Sequence, residues 1–514
     1  MRREQWGTRL GLILAMAGNA VGLGNFLRFP VQAAQHGGGA FMIPYFISLL
    51  LLGIPLMWVE WTIGRYGGGL GHGTTPAMFD ALWKNRVAKY IGILGIFLPL
   101  CIAIYYVYIE SWTLAYAFFS ATGRYFGITS RDQMGVFLSS YQGIATSSHF
   151  QGVGTAYLFF LVTLLMNTWV LVKGIQAGIE KLAKFAMPLL FIFAILLVFR
   201  VLTLGAPSSL YPERTVFNGL AFLWNPDFQA LGDSKVWLAA AGQVFFTLSI
   251  GTGAIHTYAS YMRKKEDVVL SGLTTAATNE LAEVILGGCI AIPVAYAFFG
   301  FQETIAIAKG GAFNLGFQAM PIIFQQLPLG QILGMMWFIL LFFAAITSSV
   351  ALLQPAIAFL EDEFGFKRKE AAWVTGGLIF LCAQPVIFAI SHGVLDELDY
   401  WAGTFGLVLF GFLEMMIFAW FFGMKKGWKE LHEGADLRLP KVFYYIIQYV
   451  TPIYLAILLL TWGYQEGWSI LLMKNIPKED LFFHFSARMM MLAILAILAM
   501  MVRIAWHKRG RVHA

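Results

Sequence analysis

Apolar residues dominate this chain in long runs that short charged segments separate. Twelve of the runs can cross a bilayer, for which roughly 20 residues suffice. The pattern therefore predicts twelve membrane-spanning helices, numbered span 1 to span 12 in chain order. Their predicted limits are 10–33, 40–65, 91–120, 154–172, 183–204, 236–262, 268–300, 330–361, 371–390, 398–423, 442–463 and 485–504. The longer loops 121–153, 205–235 and 301–329 have room for short helices.

Span 1 contains a stretch that suits a helix poorly. Residues 18–25 read G-N-A-V-G-L-G-N. Each glycine weakens a helix by about 1 kcal/mol relative to alanine, and hydrocarbon does not solvate the asparagine amides. Since backbone leaves the helix at membrane depth only where it lines a protected cavity, we expect a break that faces ions or polar solutes. The alternative is that the glycines only allow close helix packing.

Span 6 contains a second interruption, F-T-L-S-I-G-T-G at 246–253. The two breaks lie in spans 1 and 6, each of which is the first of a set of five spans. Glycine-interrupted spans at matching positions of two halves indicate a transporter's binding site. We therefore predict a single transmembrane domain over 1–514. Within it we expect a five-helix repeat at 10–204, an inverted repeat at 236–423, and helices 11 and 12 at 442–504.

Composition and charge agree with an integral membrane protein, because 59% of the residues are hydrophobic and only 12% are charged. The formal net charge of +7 comes from basic residues at span ends, so it does not indicate nucleic-acid binding. Alternate loops are basic, which predicts an inner-membrane protein with both termini in the cytoplasm. The three cysteines lie in apolar stretches without metal-ligand spacing, which favours packed free thiols.

Several motifs closely resemble the neurotransmitter:sodium symporter family over nearly the whole chain, most weakly at 121–153. They are G-N-A-V-G-L-G-N-F-L-R-F-P (18–30), G-G-G-A-F-M-I-P-Y (37–45), A-I-Y-Y-V-Y-I-E-S-W (103–112), G-Q-V-F-F-T-L-S (242–249), T-N-E-L-A-E-V-I-L-G-G (278–288), T-S-S (347–349) and D-E-L-D-Y-W-A-G-T (396–404). The resemblance implies an all-α membrane fold with a five-plus-five inverted repeat, spans 1 and 6 unwound in mid-membrane, and two extra C-terminal helices. It also implies a transporter rather than an enzyme, one that imports a neutral amino acid with sodium by alternating access.

A broken helix offers free N–H groups and a dipole that favour an anion. The amides of Leu23 and Gly24, with the Tyr106 phenol, could therefore bind a substrate carboxylate. Monoamine carriers of the family have an aspartate at the position of Gly22, so glycine there resembles the amino-acid carriers. The resemblance assigns the substrate site to Asn19, Ala20, Gly22, Leu23, Gly24, Ile102, Tyr106, Phe246, Thr247, Ser249, Thr252, Ser348 and Leu352. Thr252 replaces a phenylalanine of a leucine-transporting member, which should enlarge the pocket or make it wetter.

Sodium is a hard cation that prefers oxygen ligands. The resemblance implies two sodium ions as cofactors. The first would bind Ala20, Asn25, Thr247 and Asn279, and the substrate carboxylate would complete its shell. The second would bind Gly18, Val21, Ala344, Thr347 and Ser348. Without the resemblance, adjacent Thr and Ser in a membrane helix would only bond to their own preceding carbonyls.

Ionisable residues inside a membrane are functional candidates by default. Arg28 and Asp399 match the family's external gating pair, and Phe246 with Tyr106 matches its aromatic lid. The alternative for the charged pair is an interfacial, snorkelling contact of little consequence. The match to the cytoplasmic gate comprises Arg3, Asp362, Trp6 and Tyr261.

Glu283 stands where chloride-dependent members have a neutral residue. A carboxylate there can replace chloride, so we expect chloride-independent symport. It could also take a proton when sodium leaves, which would give proton antiport on the return step. For Glu60, Glu110, Glu280 and Glu414 a structural role is adequate. His256, another departure from the family, is expected to be a hydrogen-bonded packing residue rather than a proton carrier.

Two alternatives stay open at this point: an amino-acid sensor that does not transport, and a symporter for another organic solute. A membrane enzyme is disfavoured because the sequence shows no nucleophile–base pair, metal motif or P-loop. The expected partners are an amino-acid substrate and membrane lipid, without nucleic acid, and a homodimer is a further expectation.

Overall fold

The computed structural model describes residues 4–512, with side chains through residue 508. In this part of the chain, ten continuous helices are long and apolar enough to cross a membrane. They are Gly39–Gly69, Ala88–Thr122, Gly154–Val172, Ile175–Leu202, Val268–Phe299, Gly330–Phe364, Arg368–Phe388, Val394–Leu431, Val442–Leu471 and Leu481–Lys508. These helices are spans 2 to 5 and 7 to 12. With spans 1 and 6, each of which is in two pieces, they form an all-helical membrane protein.

Span 1 begins at a helix that is capped by the Thr8 side chain and covers Arg9–Ala20. The helix stops at Val21, whose ψ of 93° is extended. A wide π-helical turn covers Gly24–Arg28, and a second α-helix follows at Phe29–Gln35. The interruption therefore lies where the glycines and asparagines of span 1 predict it.

Span 6 runs from a helix at Ser234–Leu248 to a short helix at Ala254–Ala259. Between them, the φ angles of Ser249, Gly251 and Gly253 are 53°, 71° and 85°. Glycine adopts positive φ at little cost, whereas a residue with a Cβ is strained there. The two glycines thus permit the chain to leave the helix and re-enter it within a few residues.

The loops that were expected to hold short helices do so. The structure has helices at Arg131–Tyr141, Val216–Trp224, Phe301–Lys309 and Met320–Gln325. Several spans also extend a few residues past their predicted limits, because helical turns continue beyond the apolar run on which the prediction depended.

Burial shows which helices form the centre of the bundle. In spans 8 and 3, 83% and 78% of the most apolar window is buried, against 22% and 28% in spans 11 and 12. Spans 3 and 8 pack along each other. The first helix of span 1 and the second helix of span 6 both contact span 8. The breaks themselves touch, since Ser249 Oγ donates a hydrogen bond to the Asn19 carbonyl oxygen at 2.8 Å. The last two helices are peripheral to this centre.

Candidate functional site

Side chains bind the backbone groups that the two breaks leave free. In span 1, the Gly22 N–H donates to Asn25 Oδ1 at 2.9 Å. In span 6, the Gly251 N–H donates to Glu60 Oε1 at 2.5 Å. Buried backbone polar groups need such partners, and irregular backbone persists at membrane depth only when it has them.

A cavity of about 50 Å³ lies between the breaks. The predicted substrate residues that line it are Asn19, Ala20, Gly22, Ile102, Tyr106, Phe246, Ser249, Thr252, Ser348 and Leu352. It is also lined by Asn25, Tyr105, Gly403 and Leu407. Polar groups are concentrated at the breaks, and apolar side chains come from the surrounding helices. A small solute with one polar and one apolar end fits this arrangement.

Three predicted residues do not line the cavity. Gly24 lies under the Phe246 ring, because a Cβ on Gly24 would come within 2.7 Å of the Phe246 Cδ1 atom. The Thr247 hydroxyl turns away and donates to Glu283. The Leu23 side chain is buried in the core, while its amide faces the Tyr106 hydroxyl. Leu23 and Gly24 are expected to bind the substrate carboxylate through their backbone N–H groups, and this stays a prediction.

The position of Gly22 leaves two hydroxyl groups open to a ligand. A Cβ on Gly22 would lie 3.3 Å from both Tyr106 Oη and Ser348 Oγ. A side chain as large as aspartate would therefore occupy the space in front of these donors. Glycine therefore leaves this end of the cavity open beside the two hydroxyl groups.

Asn19 also faces the cavity, with 1% of its surface exposed. Neither its Oδ1 nor its Nδ2 has a hydrogen-bond partner among the described residues. An unsatisfied buried polar group costs about 1–3 kcal/mol. A ligand that offers a polar group here would remove that cost.

The side chains expected at the first sodium site lie together. Asn25 Nδ2 lies 3.1 Å from Thr247 Oγ1 and 2.8 Å from the Asn279 side-chain amide. The same terminal atom of Asn279 is 3.3 Å from the Ala20 carbonyl oxygen. Uncharged groups that carry oxygen atoms therefore lie together beside the cavity, and oxygen is the ligand that a hard monovalent cation prefers. Asn25 faces these groups with Nδ2 here, because its Oδ1 accepts from the Gly22 N–H.

The predicted second site lies between span 8 and the end of the first helix of span 1. Ser348 Oγ is 3.2 Å from the Gly18 carbonyl oxygen and 3.0 Å from that of Ala344. Thr347 Oγ1 is 3.2 Å from the Ala344 carbonyl oxygen. The carbonyl of Val21 belongs to the residue at which the helix stops. These oxygens could bind a cation because the break frees the carbonyls of span 1.

Ala20, Asn25, Thr247 and Asn279 are called the first cation cluster below. Glu283 is fully buried beside this cluster. Its Oε1 accepts from Gln243 Nε2 at 2.6 Å, and its Oε2 accepts from Asn25 Nδ2 at 3.2 Å and from Thr247. The structure thus places a carboxylate one hydrogen bond away from two of the predicted sodium ligands. A bound cation there would be partly neutralised by this charge.

The side of the cavity that faces away from the chain termini is covered by the predicted lid. The Arg28 guanidinium carbon lies 4.4 Å from the centroid of the Phe246 ring, and Asp399 Oδ1 accepts from Tyr105 Oη at 2.6 Å. No ion pair joins Arg28 to Asp399 in this part of the structure. A cavity of about 330 Å³ lies beyond them, and Gly403 borders both cavities. Each of the two predicted gating residues thus has another partner in this structure.

We call the side of the bundle at which span 1 begins the terminal face. On this face, Trp6 joins the start of span 1 to the end of span 6. Its Nε1 donates to the Tyr258 carbonyl oxygen at 2.9 Å, and its N–H donates to that of Tyr261 at 3.3 Å. The Tyr261 hydroxyl accepts from Gln354 Nε2 at 2.8 Å. Asp362 is exposed in the last turn of span 8 on the same face, and Arg3 lies outside the described residues.

Glu180, which the sequence analysis did not single out, secures the same face. Its Oε2 accepts from the Gly7 N–H at 2.7 Å, and its Oε1 accepts from Thr8 Oγ1 at 2.9 Å and from Lys184 at 2.6 Å. A glutamate at the beginning of an otherwise apolar span was the available signal. Gly7 and Thr8 lie far away in the sequence, so their contact with Glu180 was not predictable.

The Thr252 hydroxyl does not make the cavity wetter as expected. It donates to the Ser249 carbonyl oxygen at 2.8 Å and accepts from the Ala254 N–H at 3.2 Å. The hydroxyl therefore stabilises the loop of span 6, and what Thr252 contributes to the cavity is its small volume.

The fold and the paired breaks define a class: a secondary transporter whose binding site is formed by discontinuous helices. Residues 3–127 and 129–511 match the sodium:neurotransmitter symporter family. The chain belongs to this family, whose members are sodium-coupled transporters and not enzymes.

Individual relatives agree with this assignment. An uncharacterised sodium-dependent transporter of Methanocaldococcus jannaschii is 32% identical over 466 residues, which cover 89% of each chain. The sodium-dependent serotonin transporter of Drosophila melanogaster is 25% identical over 91% of this chain and 80% of its own. The crystal structure of MhsT in complex with L-phenylalanine, which has the LeuT fold, is 31% identical with a TM-score of 0.77. It aligns with 90% of this chain and 100% of its own.

Proposed function

We propose that this chain imports a neutral amino acid with an apolar or aromatic side chain, driven by sodium. The observation that carries the proposal is that the first cation cluster and the cavity share Ala20 and Asn25. A solute whose carboxylate enters the cavity near Gly22 would lie next to a cation held by these residues. The similar structure of MhsT with L-phenylalanine supports an amino acid as the solute.

Coupling follows from this contact. The substrate carboxylate supplies a ligand to the first sodium, and the sodium compensates the charge of the carboxylate. Each ligand must then raise the affinity of the other by the same factor. A second sodium at Gly18, Val21, Ala344, Thr347 and Ser348 would tie span 1 to span 8.

Alternating access would move spans 1 and 6, with their partners, against spans 3, 4, 8 and 9. Substrate would draw Phe246 and Tyr106 together and bring Arg28 to Asp399. Departure of the second sodium would loosen the contacts of Trp6 at the terminal face. We infer that this face is cytoplasmic, because the basic loops lie on the same side.

The charge of Glu283 supports transport without chloride. Its carboxylate occupies the position from which an anion would stabilise the first sodium. Proton antiport through Glu283 remains part of the proposal, since a buried carboxylate that has lost a neighbouring cation favours the neutral form.

The proposal is tested by uptake of a mixed panel of neutral amino acids into proteoliposomes under an inward sodium gradient. We expect accumulation of apolar or aromatic amino acids that collapses when choline replaces sodium. Binding without uptake would indicate a sensor instead. Uptake that free amino acids do not compete would indicate another organic solute.

Thr252→Phe should shift selectivity toward smaller aliphatic substrates, because the added ring would fill the cavity. One methylene of substrate that no longer fits a hydrophobic pocket is worth about 1–3 kcal/mol, or about 10- to 200-fold in relative kcat/KM, so we expect a shift of at least that order. Competition uptake with leucine and phenylalanine measures it. Thr252→Val is the control for loss of the hydroxyl and should keep the preference. Unchanged selectivity in Thr252→Phe would remove this residue from the pocket.

A further inference from the structure

Three ionisable side chains meet in the membrane core away from the predicted ion sites. They are Glu60 of span 2, His256 of the second helix of span 6, and Glu414 of span 10, all with 0% side-chain exposure. His256 Nε2 lies 3.3 Å from Glu414 Oε2, and His256 Nδ1 lies 3.8 Å from Glu60 Oε2. The two carboxyl groups are also within hydrogen-bonding reach of each other.

The hydrogen bonding of this cluster is incomplete. Neither imidazole nitrogen has a well-formed hydrogen bond, and both Glu414 oxygens and Glu60 Oε2 are unsatisfied among the described residues. The expectation that His256 is hydrogen-bonded is therefore not met. The imidazole instead packs between the rings of Phe79 and Phe410, with centroids 6.1 Å and 6.0 Å away.

Among the described residues, no other charged side chain pairs with the cluster. Arg65, on the same helix as Glu60, is engaged by Glu430 and by the Glu266 carbonyl. Asp80, next to Phe79, accepts from the Trp506 indole. Two carboxylates beside a neutral imidazole would carry a charge of −2 at a fully buried site. Burial of uncompensated charge is costly, so protons must bind there.

Charge counting shows how many protons the cluster favours. Two protons bring the net charge to zero, whether they occupy both carboxyl groups or one carboxyl group and the imidazole. If one proton leaves, the remaining negative charge has one donor that faces it, the Gly251 N–H on Glu60 Oε1. That N–H belongs to the break of span 6, so the stability of the ionised form depends on how the break is arranged.

We propose that Glu60, His256 and Glu414 form a proton-binding site, distinct from Glu283, whose occupancy is linked to the conformation of the break in span 6. When the Gly251 N–H bonds to Glu60, the site can release a proton. When the break rearranges and this bond is lost, the site takes up a proton from water. Sodium binding, which under the proposed function stabilises the break, should therefore release protons from the site.

The test is calorimetric titration of the purified, full-length protein with sodium chloride. Repeating it in buffers of different ionisation enthalpy gives the number of protons released per sodium bound. We expect His256→Gln to release about one proton fewer than the unmodified protein, because one titrating site has lost a member. Glu414→Gln should show a similar loss and serves as a second variant if His256→Gln does not fold.

His36→Gln is the matched control, because His36 bonds to its own helix at the Gln32 carbonyl and lies outside the cluster. It should release protons as the unmodified protein does. Unchanged release in both His256→Gln and Glu414→Gln would overturn the proposal, and so would an equal loss in His36→Gln.

This proposal rests on the proposed function only through the sodium titration, and a further titration tests the cluster independently of sodium symport. If sodium-22 does not bind at equilibrium, the symport proposal fails, but the cluster can still be tested by acid–base titration without sodium. Over about pH 5 to 8, where imidazole titrates, the unmodified protein should take up more protons than His256→Gln. Coincident titration curves would show that His256 is permanently neutral and has only a packing role.

Discussion

Thr247→Val should weaken sodium and substrate binding together. The substitution keeps the shape of the side chain but removes an oxygen that lies 3.1 Å from Asn25 Nδ2 in the first cation cluster. By analogy with hydrogen bonds to charged groups, the lost contact is worth about 1.5–3 kcal/mol. That corresponds to about 10- to 150-fold in the dissociation constant of sodium. Equilibrium binding of sodium-22 and of a radiolabelled amino acid would measure both effects.

The substrate effect should appear only when sodium is below saturation, because the substrate senses Thr247 through the ion. Asn25→Ala should behave in the same way, with a larger loss because Asn25 also holds the Gly22 N–H. Thr257→Val is the matched control, since Thr257 is buried on the other side of the same break. Loss of affinity for one ligand alone would contradict a shared site.

Glu283→Ser should make transport depend on chloride. The carboxylate contacts Asn25 and Thr247, so it would lie within a few ångströms of the first sodium. A unit charge about 5 Å away contributes about 3 kcal/mol at an effective dielectric constant of about 20. Without chloride we therefore expect a roughly 100-fold loss of sodium affinity, and chloride should restore a large part of it. Uptake in chloride and in gluconate buffers measures the difference.

Glu110→Gln is the control for this experiment. Glu110 is also fully buried, but its partner is Asn167 on span 4. Its replacement should leave transport equally active in chloride and in gluconate. A folded Glu283→Ser variant that is indifferent to chloride would show that Glu283 does not compensate the sodium charge.

The breaks could be predicted because their cause is local. Glycines and asparagines in the middle of an apolar run oppose a helix wherever the chain folds. The positive φ of Ser249 was not predictable, since serine has no intrinsic preference for it and the flanking Gly251 and Gly253 impose the turn. The same local geometry engages the Thr252 hydroxyl. Of the two effects expected of Thr252, a larger pocket or a wetter one, the small side chain is therefore compatible with the first.

Contacts between distant parts of the chain could be identified only from the structure. Gly403 and Leu407 line the cavity, but neither residue type carries a chemical signal in span 10. Glu180 bonds to Gly7, from which 173 positions separate it. His256 looked like an isolated packing residue because its two carboxyl neighbours come from other spans.

The predicted external gating pair, Arg28 and Asp399, shows a different limit of prediction from sequence. The sequence identifies Arg28 and Asp399, but it does not say with which partner each pairs in a given conformation. Here Arg28 lies over Phe246, and Asp399 is held by Tyr105. A pair that must open and close has at least two sets of contacts, and one residue pattern encodes both.

The cavity also bears on the size of the substrate. Its volume of about 50 Å³ is smaller than the roughly 150 Å³ of an engineered apolar cavity that binds benzene. An aromatic substrate would therefore require the Phe246 ring and the Arg28 side chain above it to move outward. Binding of phenylalanine should accordingly alter the environment of the lid.

The central claim is that a cation and an amino acid touch between the two breaks. The most direct test is equilibrium binding of L-phenylalanine, or of the best substrate from the uptake panel, at increasing sodium concentration. The account predicts that sodium lowers the substrate dissociation constant and that saturating substrate lowers the sodium dissociation constant by the same factor, about 5- to 150-fold for typical coupled sites. Substrate affinity that does not change with sodium would contradict it.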